Sequence, residues 1–217
     1  MTEHSYLSTT QAFYDAVAVD YAERFSNSLE AKPLDRAVLA AFAELVRAAG
    51  AGPVADLGCG PGCVTAHLHS LGLSIFGVDL SSAMVAQARQ EHPGLRFDEG
   101  SMTALDLTDG ALGGIVAWYS IIHTPQERLP EVFAEFHRVL APGGHLLLAF
   151  QVGDEPLYLA QPFGHAVSLD FNRLSPDRVA NLLRQAGLVV DARLLREPDQ
   201  TEKVQQAHLL ARKPEKP

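Results

Sequence analysis

The run Val54-Ala-Asp-Leu-Gly-Cys-Gly-Pro-Gly-Cys63 constrains the fold of this chain more than any other stretch. Val54, Ala55 and Leu57 have the character of a short buried strand, interrupted by the single carboxylate of Asp56. Gly58, Gly60 and Gly62 follow, and then a helical pattern from Val64 to Leu71. Glycine reaches positive φ without a Cβ penalty and lets a bound group approach the backbone. The helix behind the turn offers unpaired N–H groups and the positive end of its dipole. A chain organised around such a turn is an α/β protein with a nucleotide-type site at the end of its first strand.

The remaining segments fit that frame. Before the turn, Gln11–Phe25 carries Phe13, Val17, Tyr21 and Phe25 at helical spacing, and Pro33–Ala49 is a second helix closed by Gly50. Tyr14 and Tyr21 share one face of the first helix, which suits either packing or closure over a ligand. After the turn, Leu73–Val78 is a strand ending at Asp79, and Ser81 or Ser82 caps a helix running to about Glu91. Leu95–Phe97 and Gly114–Trp118 read as strands, the second buried on both faces as in a parallel sheet. A helix over Gln126–Leu140 stops at Pro142-Gly143-Gly144, and His145–Phe150 is another buried strand. Regularity fails between Gln151 and Leu174, a length that marks a functional, lid-like loop. A helix from Ser175-Pro176 to Gly187 leads into Leu188–Arg196 and Val204–Arg212, whose short polar connection makes them antiparallel. Lys213–Pro217 reads as a frayed tail.

Composition excludes several classes. With 217 residues and a formal net charge of -9, the chain has no basic stripe for phosphate neutralisation, which argues against nucleic acid. Its apolar runs are short, and Met1–Thr10 lacks a signal core, so no membrane partner is expected. Cys59 and Cys63, both in the glycine turn, form neither a zinc signature nor a plausible disulfide. The expectation is a cytoplasmic protein of one domain without metal: a helical cap over 1–50, a core over 51–212 and a lid-like insertion over 151–174.

The ligand is narrowed by spacing. A dinucleotide fingerprint needs glycine at 63, where Cys63 stands, and no Lys-Ser/Thr pair follows to make a phosphate loop. Asp56, early on the strand, suits a hydrogen-bond-donating part of a ligand better than a pyrophosphate. Taken with the later segments, V-A-D-L-G-C-G-P-G resembles the first motif of the class I S-adenosylmethionine-dependent methyltransferases. G-V-D-L-S is similar to their second motif, and G-S-M-T-A-L-D-L to the stretch after their third strand. A-W-Y-S-I-I-H resembles the end of their fourth strand, and A-P-G-G-H-L-L-L-A-F their fifth-strand unit. The likeness runs from about Tyr14 to Arg212 and includes the closing hairpin.

That resemblance implies a Rossmann-like seven-stranded, mostly parallel sheet with helices on both faces and a C-terminal antiparallel strand pair. It implies S-adenosyl-L-methionine as cofactor, a small-molecule acceptor, and methyl transfer by in-line displacement. Asp79 would take the ribose hydroxyls, Leu80 and Met102 the adenine faces, and Ser101 its polar edge. Gly58, Cys59, Gly60 and the Tyr119 backbone would pass the methionine part, with Tyr14 and Tyr21 closing over it. Asp56 and Met84 complete the cofactor-binding set. His123 borders the acceptor as a base or as a packing histidine, with His165 and Asp170 of the irregular lid as further candidate bases and Tyr158 and His165 as further substrate contacts. The residues Trp118-Tyr-Ser-Ile replace the N-P-P-Y type of related families, which disfavours nitrogen acceptors of DNA and glutamine. Two rivals stay open: a non-catalytic S-adenosylmethionine-binding regulator, and a nicotinamide-dependent oxidoreductase.

Overall fold

The computed structural model of the chain describes residues 3–25 and 28–215. Met1, Thr2 and the end of the expected tail, Lys216 and Pro217, lie outside them. In chain order the helices are α1 (Glu3–Phe25), α2 (Pro33–Ala49), α3 (Cys63–Ser70), α4 (Ser82–Glu91), α5 (Leu129–Val139) and α6 (Pro176–Gln185). The strands are β1 (Val54–Leu57), β2 (Ile75–Asp79), β3 (Arg96–Glu99), β4 (Leu112–Trp118), β5 (Leu140–Gln151), β6 (Leu157–Ala160), β7 (Ser168–Phe171), β8 (Val189–Arg196) and β9 (Gln206–Arg212). Seven of them form one sheet in the order β3-β2-β1-β4-β5-β9-β8. The first five in that order run parallel, and β9 turns the sheet antiparallel by pairing His145↔Arg212 through Gln151↔Gln206 with β5.

Helices cover both faces. On one, Phe133 and Phe136 of α5 with Val179 and Leu183 of α6 pack on Ile115, Leu146, Leu148 and Phe150. On the other, Leu39, Phe42 and Val46 of α2 with Leu68 of α3 pack on Val54, Val116 and Leu147. The alternation of Val116 and Leu147 toward α2, against Ile115, Leu146 and Leu148 toward α5, is the two-residue period of strands buried on both sides.

Three local departures from the sequence reading have physical causes. Helix α1 begins at Glu3, eight residues before the expected Gln11. Tyr6 and the buried hydroxyl residue Thr10 extend the stripe of Phe13 and Val17 at helical spacing, but a threonine hides that periodicity. The helix expected from Gln126 is a 3-10 turn over Gln126–Arg128 followed by α5, whose first turn holds Pro130, a residue without an N–H to donate. The segment expected to be irregular contains the antiparallel ribbon β6–β7. Its buried Leu169 packs on Phe13 and Val17 of α1, and Phe171 meets Phe13 edge to face, so the ribbon's apolar anchors are tertiary and invisible to local pattern.

The closing hairpin is tied to α2 by charge. Arg196 of β8 reaches Asp35 at 3.2 Å and Glu202 at 2.7 Å, and Lys32 bridges Glu202 and Asp199. Asp35 is buried, so removing one partner would strand a charge out of water. His208 of β9 lies against Trp118 with only 2% exposure, its Nε2 3.6 Å from Asp35 Oδ1, and neither ring nitrogen makes a hydrogen bond. Burial, helped by the Arg196 charge, pushes its imidazole down to about 4. An unfolded imidazole takes its proton near 6.5, so between those values the unfolded chain binds the extra proton and stability falls as pH drops. Urea unfolding at pH 7 and pH 4.5 should therefore show a loss smaller by about 2 kcal/mol in His208→Phe than in the parent. Equal losses would show that His208 does not set the acid limb.

Candidate functional site

The carboxyl ends of β1, β2 and β4 open onto a cleft of about 810 Å³ of atom-free space, mouth included. In an open parallel sheet this is where ligands bind, outside strands whose connections leave in opposite directions. The floor is the glycine turn. Gly58, Gly60 and Gly62 have φ of 74°, 52° and 85°, all in the left-handed region. Gly58 also lies so close to β4 that a Cβ there would stand 2.3 Å from Cβ of Ser120. The Ser120 hydroxyl completes this contact by donating to the Leu57 carbonyl at 2.6 Å.

Asp79, the last residue of β2, spans the gap to the turn. Its Oδ2 accepts the Gly60 amide at 2.7 Å and its Oδ1 accepts the Ser81 amide at 2.9 Å. Burial pushes the carboxyl up, opposed by the amides of Ser81, Gly60 and Leu80. A carboxylate has roughly four lone-pair sites, so these amides leave acceptor capacity toward the cleft. Leu80, Met84, Ser101, Met102 and Tyr119 line the same space. Tyr119 has φ of +54°, a left-handed conformation uncommon outside glycine, and its N–H is anchored on the Ala149 carbonyl at 2.9 Å.

Helix α1 closes the cleft from above. Its Asp15 accepts the Ser81 hydroxyl at 2.6 Å and the Ala83 amide at 3.2 Å, which fixes α1 against the start of α4. Tyr14 and Tyr21 then face the cleft with their rings edge to face, 5.7 Å between centroids. Burial raises both phenols, Tyr21 to about 12. Tyr14 Oη is 2.7 Å from Nε2 of His123, which ends the 3-10 turn Ile121–His123. Asn172 clamps that turn, its side-chain amide donating to the Ile122 and Thr124 carbonyls at 3.0 Å each. Burial pushes His123 down to about 3, so the ring is neutral across the ordinary pH range. Its Nδ1 is buried and has no partner.

Of the sequence-derived residues, the cleft brings together Tyr14, Tyr21, Gly58, Gly60, Asp79, Leu80, Met84, Ser101, Met102, Tyr119 and His123. Asp56 is not among them. Its buried carboxyl accepts the Thr65 hydroxyl at 2.6 Å, tying β1 to α3, and burial pushes it up to about 7. Cys59 backs the turn instead of facing the cleft: it packs with Val85, Ala88 and Phe97, and burial raises its thiol. Tyr158 is 62% exposed on the ribbon and, with Asp170, lines a second depression that borders His123. His165 lines neither space; it bonds Asp20 of α1 at 2.7 Å. Sequence reasoning missed Asp15, Tyr6, Thr10, Trp118 and Ser120. Tyr6, Thr10 and Tyr14 recur every fourth residue, a signal available once α1 is known to start early. Among the described residues no three His, Cys, Asp or Glu side chains gather as a metal site.

Comparison with known proteins agrees with this geometry. Residues 54–144 match the methyltransferase domain family. The chain is 30% identical over 96 residues to a malonyl-[acyl-carrier protein] O-methyltransferase of Pectobacterium atrosepticum, covering 44% of this chain and 37% of that one. It is 29% identical over 134 residues to a demethylmenaquinone methyltransferase of Beutenbergia cavernae, covering 60% and 54%. The chain thus spans about half or less of these curated relatives. Among solved structures, a DhpI–SAH complex superposes with a TM-score of 0.73 at 20% identity over 99% of this chain and 100% of that one. A SAM-dependent methyltransferase of Methanosarcina mazei gives 0.68 at 19% identity over 76% and 93%. These two likenesses are of fold.

The tight passage of β1 past β4 makes a direct prediction. Gly58→Ala combines a left-handed φ with a clash against Ser120 and should destabilise the chain by about 2–4 kcal/mol, overpacking and backbone strain together. Thermal and urea unfolding read this out, and a variant within ~0.5 kcal/mol of the parent would show that the two strands separate freely.

Proposed function

We propose that this chain is a class I S-adenosylmethionine-dependent methyltransferase, as its match to the methyltransferase domain family over residues 54–144 supports, and that it transfers a methyl group to a small-molecule acceptor. The observation that carries the reading is the convergence of the glycine turn, Asp79 and the Ser101-Met102 pair on one cleft. The residues present fit the cofactor. Asp79 keeps lone pairs for the two ribose hydroxyls after serving Gly60 and Ser81. Leu80 and Met102 offer apolar faces to a purine, with Ser101 at its edge. Gly58 and Gly60 leave backbone free of Cβ atoms along the amino-acid part, and Tyr14 and Tyr21 close over it. When bound, S-adenosylmethionine supplies an electrophilic methyl carbon on a sulfonium that departs as a neutral thioether.

What the chain itself contributes is placement. Holding acceptor and methyl carbon in line removes roughly 7–11 kcal/mol of the barrier, more than a general base provides. Asn172 fixes the turn that carries His123, and Tyr14 fixes its ring, so the imidazole is a rigid wall at the donor's reactive end. Because burial holds that ring neutral, it adds no positive charge beside a cation, and it orients an acceptor hydrogen bond instead of storing the proton. The free thiols of Cys59 and Cys63 suit a reducing, cytoplasmic setting. The relatives named above are a malonyl-[acyl-carrier protein] O-methyltransferase and a demethylmenaquinone methyltransferase. Two such different acceptors on related domains leave acceptor identity to the parts of this chain outside the cofactor cleft.

Titration calorimetry with S-adenosylhomocysteine tests the donor site. Asp79→Ala should weaken binding by about 1.5–3 kcal/mol, the worth of hydrogen bonds to a charged group. Unchanged affinity would sink the ribose assignment, and stabilisation by NAD instead of S-adenosylhomocysteine would favour an oxidoreductase. Turnover has its own signature. With His123 neutral above about 3, kcat should show no inflection near pH 6.5 from this residue, and a His123-dependent limb there would mean the ring cycles a proton.

A further inference from the structure

Resting on the donor-site reading above, we propose that the depression beside His123 receives the methyl acceptor and selects a neutral or cationic molecule over an anionic one. This space runs from α1 past the turn at 125–127 to the β6–β7 ribbon and the start of α6. It meets the donor cleft at a wall that Tyr6, Thr10 and His123 line on both sides. An acceptor lying in it presents its nucleophilic atom at the donor's closed end.

The wall is built to hold such an atom. Thr10 is 8% exposed and its Oγ1 has no hydrogen-bond partner; His123 Nδ1 is likewise buried without one. Buried polar atoms left in this state cost stability, and a ligand that bonds them removes the cost. Tyr14 already occupies Nε2 of the same ring, so Nδ1 is the nitrogen left for an acceptor. A hydroxyl can donate or accept, and a neutral imidazole nitrogen does either according to tautomer. Together they can orient one hydroxyl or amine heteroatom, with its lone pair left for the methyl carbon.

Charge decides the rest of the acceptor. Glu127 and Asp170 line the space, and neither sits in an ion pair among the described residues. Against them stands Arg178, whose guanidinium is engaged by Gln126 Oε1 at 2.6 Å. Two carboxylates to one guanidinium, on a chain of formal net charge -9, give a field that repels carboxylate or phosphate groups. The field is that of exposed groups and falls off over ~10 Å in 0.1 M salt.

The test uses three phenols of matched shape and different charge: tyramine, 4-hydroxyphenylethanol and 4-hydroxyphenylacetate. Each is titrated by ligand-observed NMR into the full chain saturated with S-adenosylhomocysteine. The expected order is tyramine, then the neutral alcohol, then the acid, with at least a fivefold spread at low ionic strength that shrinks in 0.5 M salt. The double substitution Glu127→Gln, Asp170→Asn should level the three affinities while S-adenosylhomocysteine still binds as in the parent. Thr10→Val should weaken all three by about fivefold without changing their order. Preference for the acid, an order unmoved by the double substitution, or absence of binding by any probe while S-adenosylhomocysteine binds would overturn the proposal. Failure of S-adenosylhomocysteine itself to bind would overturn the donor-site reading, so the two failures are separable.

Discussion

The carboxylate of Asp79 is the interaction on which the cleft depends. It draws together two backbone amides from different loops, Gly60 after β1 and Ser81 after β2, and so sets the separation of neighbouring strand ends. The same Ser81 uses its hydroxyl in two directions, accepting the Met84 amide to cap α4 and donating to Asp15 of α1. One short hydrogen-bonded chain therefore links the glycine turn, β2, α4 and the helix that roofs the cleft. Charge-assisted hydrogen bonds of this kind are roughly twice as strong as neutral ones, and each here also fixes an angle.

Much of this was legible in the sequence. A lone carboxylate ending an apolar strand, three glycines at alternate positions and a closing pair of β-rich runs identified the sheet, the turn and the role of Asp79 as a cleft residue. Asp56 was not legible as a structural residue, because a carboxylate inside a strand can face the cleft or a packed helix with equal ease. Its partner Thr65 lies nine residues on, on the far side of the turn. His165 shows the limit more plainly. Its contact with Asp20 exists only because the β6–β7 ribbon folds back onto α1, and that packing rests on Leu169 against Phe13 and Val17. Nothing in the local pattern of residues 151–174 encodes a partner 145 positions away.

Burial, and not charge pairing, governs most titratable groups around the cleft. His123 and His208 are pushed down, and Asp56, Asp79, Tyr14 and Tyr21 are pushed up, each with loss of water as the first cause. All six shifts favour the uncharged form. Isolated charge is expensive in such surroundings. Charge taken out of water is instead paired, as in the Lys32–Glu202–Arg196–Asp35 group, where each member has a counter-ion.

The sheet's order has a consequence for synthesis of the chain. Strand β5 carries Leu146, Leu148 and Phe150 on one face and Leu147 on the other, and its free edge is covered only by β9. Strand β9 follows every other strand of the sheet in the chain, so a nascent chain exposes the ladder groups of β5 after the parallel strands β1–β5 can assemble. An unpaired apolar edge is a template for pairing with other chains. Loss of residues 206–212 thus removes more than a peripheral hairpin: it leaves a sticky, half-finished sheet, and quality-control proteases or aggregation become its fate.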